Sequence, residues 1–155
     1  MEYLEELQGH SVVIQPDEGT SIWQPLPANG HADPKLIPEC TQFEGFSMGF
    51  QTIAPHCHVL EHAHDVKIEL LIGFQGKGRV VVDGVDHPFL PGTCCFLGYD
   101  VKHKIINDSD EDFVMMWLMA PAGLEKFFGT IGRPRERGSA APEPFERGEG
   151  KPLHG

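Results

Sequence analysis

Short apolar runs, several of them alternating with polar residues at a period of two, recur from residue 10 to residue 119 of this chain, and clusters of Gly, Pro, Asn and Asp separate them. That is the pattern of half-buried strands joined by tight turns. It predicts strands over 10–15, 20–24, 46–54, 69–75, 79–83, 85–90, 93–97, 101–106 and 113–119. Asp83-Gly84 is a hairpin signal, and Pro91-Gly92 marks the next reversal. Residues 25–38 read as loop, 55–58 as a turn, and 107–112, with four acidic residues, as a solvated turn. Only two stretches suggest helix: a short helix or arm over residues 1–9, and Pro121–Thr130, closed by Gly129. From Ile131 onward Gly, Pro, Arg and Glu dominate, a composition that buries little surface. This tail is expected to be extended or flexible, and with Phe145 and its prolines it is a candidate arm or lid.

Composition narrows the picture. A chain of 155 residues with 40% hydrophobic content suffices for one domain with a core, and 18 Gly with 13 Pro suit a turn-rich all-β architecture. The formal charge is −11. Residues 133–155 carry five basic and four acidic side chains, so the remainder stands at −12. A body that acidic repels phosphate backbones and anionic lipid, which argues against nucleic-acid and membrane partners. The first residues show no basic-then-apolar leader, and no later run is long enough to span a bilayer, so a cytoplasmic location is expected. Cys40, Cys57, Cys94 and Cys95 form no C-x-x-C pair and read as reduced, buried thiols.

Candidate chemistry concentrates between His62 and Gly76. On an extended strand His62 and His64 face one side and can aim two imidazoles at one point. Glu69 has the opposite parity, and a turn near Asp65 is needed to bring it to the histidines. His103 sits in another apolar segment downstream. The spacing H-x-H-x4-E-x6-G at 62–76, then Pro91-Gly92, then H-x3-N at 103–107, resembles the two motifs of the cupin superfamily. The resemblance covers roughly residues 45–120. It implies a double-stranded β-helix, a jelly-roll barrel, that holds one metal ion with His62, His64, Glu69 and His103, and a homodimeric assembly. On that reading residues 1–44 are an arm and short strands packed on the barrel, 45–120 the barrel core, 121–132 a short helix and 133–155 the tail. Two positions depart from the family pattern. His56 stands where the first motif usually has glycine, and Gly98-Tyr99-Asp100 precedes the second histidine.

Three imidazoles and one carboxylate leave two of six octahedral positions open, which suits Fe(II), Mn(II), Ni(II) or Co(II), with Zn(II) possible at lower coordination. Met48, Phe50, Phe96, Met115 and Trp117 are candidate pocket-lining residues. His56 and His58 are candidate accessory groups in a turn beside the site. Glu61 is expected to face away. Such a centre supports a dioxygenase acting on a small aromatic or enolic substrate, with Glu69 as a ligand able to take the substrate's hydroxyl proton. The segment Met119–Arg135 resembles the region after the barrel in small quercetinase-like bacterial cupins, which favours this reaction. A non-oxidative isomerase or lyase, and a non-enzymatic binding cupin, are the alternatives.

Overall fold

The computed structural model describes residues 9–152. The helix or arm expected over residues 1–9 lies, but for Gly9, outside them. The chain forms two facing sheets. The larger contains β1 (Ile22–Trp23), β2 (His31–Leu36), β3 (Ser47–Ile53), β5 (Ile68–Gln75), β8 (Cys94–Leu97), β10 (Phe113–Ala120) and β11 (Arg133–Pro134), in the order β11-β1-β2-β3-β10-β5-β8. The smaller holds β4 (Cys57–His62), β6 (Gly78–Val82), β7 (Val85–Phe89) and β9 (His103–Asn107), in the order β4-β9-β6-β7. Every pairing is antiparallel. Among the described residues two short helices complete the fold, α1 (Pro38–Thr41) and α2 (Leu124–Ile131).

The core lies between the sheets. Along β10, Phe113, Met115, Trp117 and Met119 are all buried, and the residues between them are half-buried. Leu71, Phe89, Leu97, Ile105 and Ile53 meet them from the neighbouring strands. Asn107 ties the lower end of this core. Its amide donates to the carbonyls of Ile53, Ala54 and Glu111, and its Oδ1 accepts from Ser109. Buried backbone carbonyls at a strand-to-turn junction thereby gain partners.

Most of the expected strands are present, and the differences have local causes. No strand forms over 10–15. The segment 25–38, expected as loop from its Pro, Asn, Gly and Asp, contains β2. Pro34 pairs with Gly49 on one side only, because two-residue β1 stops at Ala32 and leaves Pro34 on an edge where no N–H is needed. The C-terminal helix starts later than expected and runs past Gly129 to Ile131. It ends at Gly132, where a Cβ would meet the Trp23 carbonyl at 2.4 Å. Leu124, Phe128 and Ile131 form its buried stripe, and the Phe128 ring lies 5.7 Å from that of Trp117. Asp83 and Gly84 both take positive φ in the hairpin, as their sequence requires. All four cysteines are free, but none is buried: Cys40, Cys57 and Cys95 are half-buried, and Cys94 is exposed, since vicinal residues on a strand face opposite sides.

The tail is extended and anchored. Its first residues pair with β1, and the Arg135 N–H donates to the Ser21 carbonyl. Arg137 donates to the carbonyls of Glu18, Gly19 and Thr20. Further on, the Phe145 carbonyl accepts from the Leu26 N–H, and the Arg147 guanidinium stands over the Phe127 ring. No helix among the described residues is long and apolar enough to cross a membrane.

Candidate metal centre

His62 and His103 face each other across two paired strands, and a bulge makes that possible. From Cys57 to Val59, β4 pairs with β9 in one register: Cys57 opposite Asn107, Val59 opposite Ile105. Between Val59 and His62 it slips by one residue. Without the slip Glu61 would stand opposite His103, and strand alternation would send its side chain inward. The bulge exchanges Glu61 for His62 on the inner face. His64 lies just beyond the end of β4, in the connection that crosses to the other sheet, and its carbonyl accepts from the Asp100 N–H. After the expected turn at Asp65–Val66, β5 presents Glu69 inward between Met119 and Leu97. The return strand belongs to the opposite sheet and does not form a hairpin with β4.

One donor atom from each of His62, His64, Glu69 and His103 lies within 4.8 Å of the others. His64, Glu69 and His103 are buried and His62 nearly so. Backbone carbonyls fix two tautomers. Leu60 O lies 2.7 Å from His62 Nδ1 and Val101 O 3.0 Å from His103 Nδ1. A carbonyl only accepts, so both Nδ1 atoms carry a proton, and in the neutral rings, the form a metal binds, both Nε2 atoms present lone pairs. His103 Nε2 is therefore an acceptor set 3.2 Å from a second acceptor, Glu69 Oε2, with no hydrogen-bond partner of its own. His64 Nε2 is also 3.2 Å from that oxygen. Converging lone pairs in a buried space are the arrangement a cation satisfies. The donor set, three nitrogens and one oxygen, is one that divalent transition metals accept, so the cluster can hold a metal ion.

Burial, together with the neighbouring His103, lowers His62 from the usual histidine value to about 4. Burial pushes the Glu69 carboxyl up, but in the metal-free cluster hydrogen bonds from His103 and His64, with a proton on Nε2, and their positive charge more than reverse this and bring it to about 2. At neutral pH His62 is thus neutral and Glu69 ionised, the forms a metal needs. A stability prediction follows for metal-free protein. As pH falls through about 6.5 the unfolded chain protonates His62's imidazole while the folded chain does not until about pH 4. Stability should therefore drop across that window, by on the order of 3 kcal/mol. The Glu69 contribution, present above pH 4.5, is lost further down, toward pH 2. Urea melts of wild type and His62→Asn between pH 7 and pH 4 check this; equal slopes in the two proteins would refute it.

A cavity of about 40 Å³ adjoins His62 and Glu69, room for only a few water molecules. Met115, Leu124, Phe127, Phe128 and Ile131 supply most of its apolar wall, with Gln24, Gln51 and Arg147 as polar additions. Gln51 donates to Gln24, which donates to the Thr52 carbonyl. Of the expected lining residues only Met115 borders this space. Trp117 is buried just behind it, against Phe128. Met48 and Phe50 lie on the outer face of the large sheet, opposite Leu118 and Met116, and Phe50 packs on Phe74. Phe96 is 66% exposed. The three therefore do not line the cavity as expected: apolar residues occupy both faces of this sheet, so alternation carries no sign. His58 lines the cavity, whereas His56 points outward to Asp110, with 2.8 Å between Nε2 and Oδ1. His56 also shows why the family motif has glycine at its position, since its φ is 57°. Gln24, Gln51, Phe127, Phe128 and Arg147 escaped the sequence reading. The inward parity of Gln51 beside Gly49 was the one usable signal.

The cupin-domain family profile matches residues 49–119, the stretch that carries all four side chains. Residues 49–119 of this chain form a cupin domain. Solved cupin structures share the fold. A predicted oxalate decarboxylase from Thermotoga maritima is 20% identical, with a TM-score of 0.61 over 71% of this chain and 99% of that one. A sugar phosphate isomerase of the superfamily from Silicibacter pomeroyi is 17% identical, with a TM-score of 0.60 over 70% and 75%. A Cupin 2 conserved barrel domain protein from Salinispora arenicola is 25% identical, with a TM-score of 0.57 over 73% and 90%. No curated protein matches the chain. The cupin neighbours include proteins described as enzymes of different kinds, so membership fixes the barrel and leaves the reaction to the site itself.

Proposed function

We propose that this cupin is a metal-dependent enzyme, a dioxygenase for a small aromatic or enolic substrate. The observation that carries the reading is the buried convergence of three imidazoles and one carboxylate at the end of an apolar cavity. Fe(II), Mn(II), Ni(II) or Co(II) is the proposed ion, with Zn(II) as a non-redox alternative. Bound there, the ion would supply Lewis acidity and, if redox-active, the means to couple a chelated substrate to O₂. The chain's own residues do the rest. The Leu60 and Val101 carbonyls hold two imidazoles in the binding tautomer. Glu69, ionised and flanked by histidines, can take the proton of a substrate hydroxyl. Phe127, Phe128 and Met115 keep water from the site, and Gln51 and Gln24 offer amide groups to a substrate oxygen. The second reading, a non-oxidative isomerase or lyase, uses the same ligands and gains support from the neighbours described as an isomerase and a decarboxylase.

The test is metal content by elemental mass spectrometry on anaerobically purified, untagged protein, followed by O₂ uptake with catechols, flavonols and β-diketones. One equivalent of a redox-active metal with substrate-dependent O₂ consumption supports the dioxygenase. Metal with no O₂ uptake favours the non-oxidative reading. No metal after reconstitution leaves a binding cupin.

We also propose that the protein is a homodimer. The outer face of the large sheet carries the half-buried side chains of Met48, Phe50, Leu70, Ile72, Met116 and Leu118 with Phe74 and Phe96 exposed beside them, an apolar face of the kind that marks an interface. Phe74→Asp combined with Met116→Asp should halve the mass found by light scattering. A wild-type monomer, or an unchanged dimer in the variant, would count against this face.

A further inference from the structure

We infer that the enzyme's substrate is an anion whose carboxylate is held by Arg147, on the C-terminal tail. This rests on the metal-centre reading and names the substrate class for that site. Arg147 is the sole Lys or Arg among the described residues lining the inner cavity, and Glu69, a proposed ligand, is its sole carboxylate. The guanidinium has no ion-pair partner among the described residues. Its Nη1 donates to the Pro152 carbonyl at 2.7 Å, and its Cζ stands over the Phe127 ring, 5.4 Å from the centroid. Burial lowers its pKa from the ordinary arginine value. A half-buried, uncompensated guanidinium over an aromatic ring is built to receive a planar anion.

Its position in the fold points the same way. A roomier outer depression of about 530 Å³ lies against the cavity, lined by Leu26, His56, Cys57 and Glu146 among others. Pro27, His58, Leu60 and Arg147 line both spaces and so form the boundary between them. A ligand entering from the outer depression passes Arg147 before it reaches His62. Burial and the nearby Lys104 push the His58 imidazole at this boundary below its ordinary value. The inner space holds only a few waters, so the substrate's polar end must sit at the ligands while its remaining bulk extends toward Arg147. An acid that chelates with one end and carries its carboxylate at the other fits this layout. Overall the chain is −11, so the local positive charge of Arg147 works against a repelling background for such a ligand.

The test uses full-length protein loaded with Co(II), whose visible spectrum reports ligands entering the metal site. Cobalt stoichiometry is measured first. The protein is then titrated with catechol, 3,4-dihydroxybenzoate and 3,4-dihydroxyphenylacetate, which share the chelating group and differ in the carboxylate. Wild type should bind at least one of the acids about 10- to 100-fold more tightly than catechol. Arg147→Gln should lose that preference with cobalt content and catechol affinity unchanged. Arg147→Lys, which keeps the charge, should recover part of it. The inference is overturned if wild type prefers neither acid, if Arg147→Gln weakens catechol and acid alike, or if the lysine variant behaves as the glutamine one, which would make the effect one of packing on Phe127. Failure to load cobalt would instead sink the metal-centre reading, and this inference with it.

Discussion

Replacing His103 by alanine should abolish stoichiometric metal binding while the barrel stays folded. The imidazole is 1% exposed and its Nδ1 proton is held by Val101, so Nε2 has one orientation and no other occupant for its lone pair. Removing a partner outside the ligand shell of a metal typically weakens binding 10- to 100-fold, and removing one of four ligands should exceed that. The fold should survive, because β9 keeps Ile105 and Asn107 in the core and its ladder to β4 and β6 is made by backbone groups. Elemental mass spectrometry and circular dichroism read the two halves of the prediction. One equivalent of metal retained in the variant would remove His103 from the site.

Trp117→Ala should be the most destabilising single change in the core, at about 3–5 kcal/mol. Trp117 is 1% exposed and the largest fully buried side chain. It fills the space opposite Gly49 and Leu71 and supports Phe128, the residue that seats α2 over the cavity. A Cβ on Gly49 would stand 3.0 Å from the Trp117 ring, so little slack exists for the core to close around the void. For a chain of this size the loss corresponds to a melting point lower by roughly 10 °C. Val85→Ala, at a site 57% exposed, should change it little. Trp117→Phe should fall between the two, since the indole N–H has no hydrogen-bond partner to lose. A Trp117→Ala melt within 2 or 3 °C of wild type would show that the barrel does not depend on this layer. Because the void opens beside the Met115 wall, ligand affinity should suffer with stability.

The physical chain from strand to site explains how much of this protein was legible in advance. Hairpin chemistry at Asp83-Gly84, the reversal at Pro91-Gly92 and the alternating runs between residues 46 and 119 are local effects, governed by φ preferences and by side chains within two residues. The sequence alone therefore determined that the chain is all-β, and the motif spacing determined which four side chains to bring together. Sequence could not determine the facing of the large sheet. β5 and β10 are apolar on both sides, so only pairing with Gly49 and Leu71 settles that Trp117 is inside and that Met48 and Phe50 are outside.

Strand existence itself was sometimes decided by neighbours. Pro34 is tolerated in β2 because β1 is too short to demand its N–H. The inward aim of His62 was a tertiary decision too. It depends on a one-residue slip against β9, which no property of β4 by itself encodes. Arg147 lies 78 residues beyond Glu69 in a segment whose composition suggested only a polar tail, and it reaches the site because Arg135, Arg137 and the Phe145 carbonyl moor that tail to the first strands. Local chemistry named the ligands and the strands that carry them. Long-range pairing chose their faces, the wall around them and the charge at the entrance, because each of those depends on contacts between residues far apart in the chain.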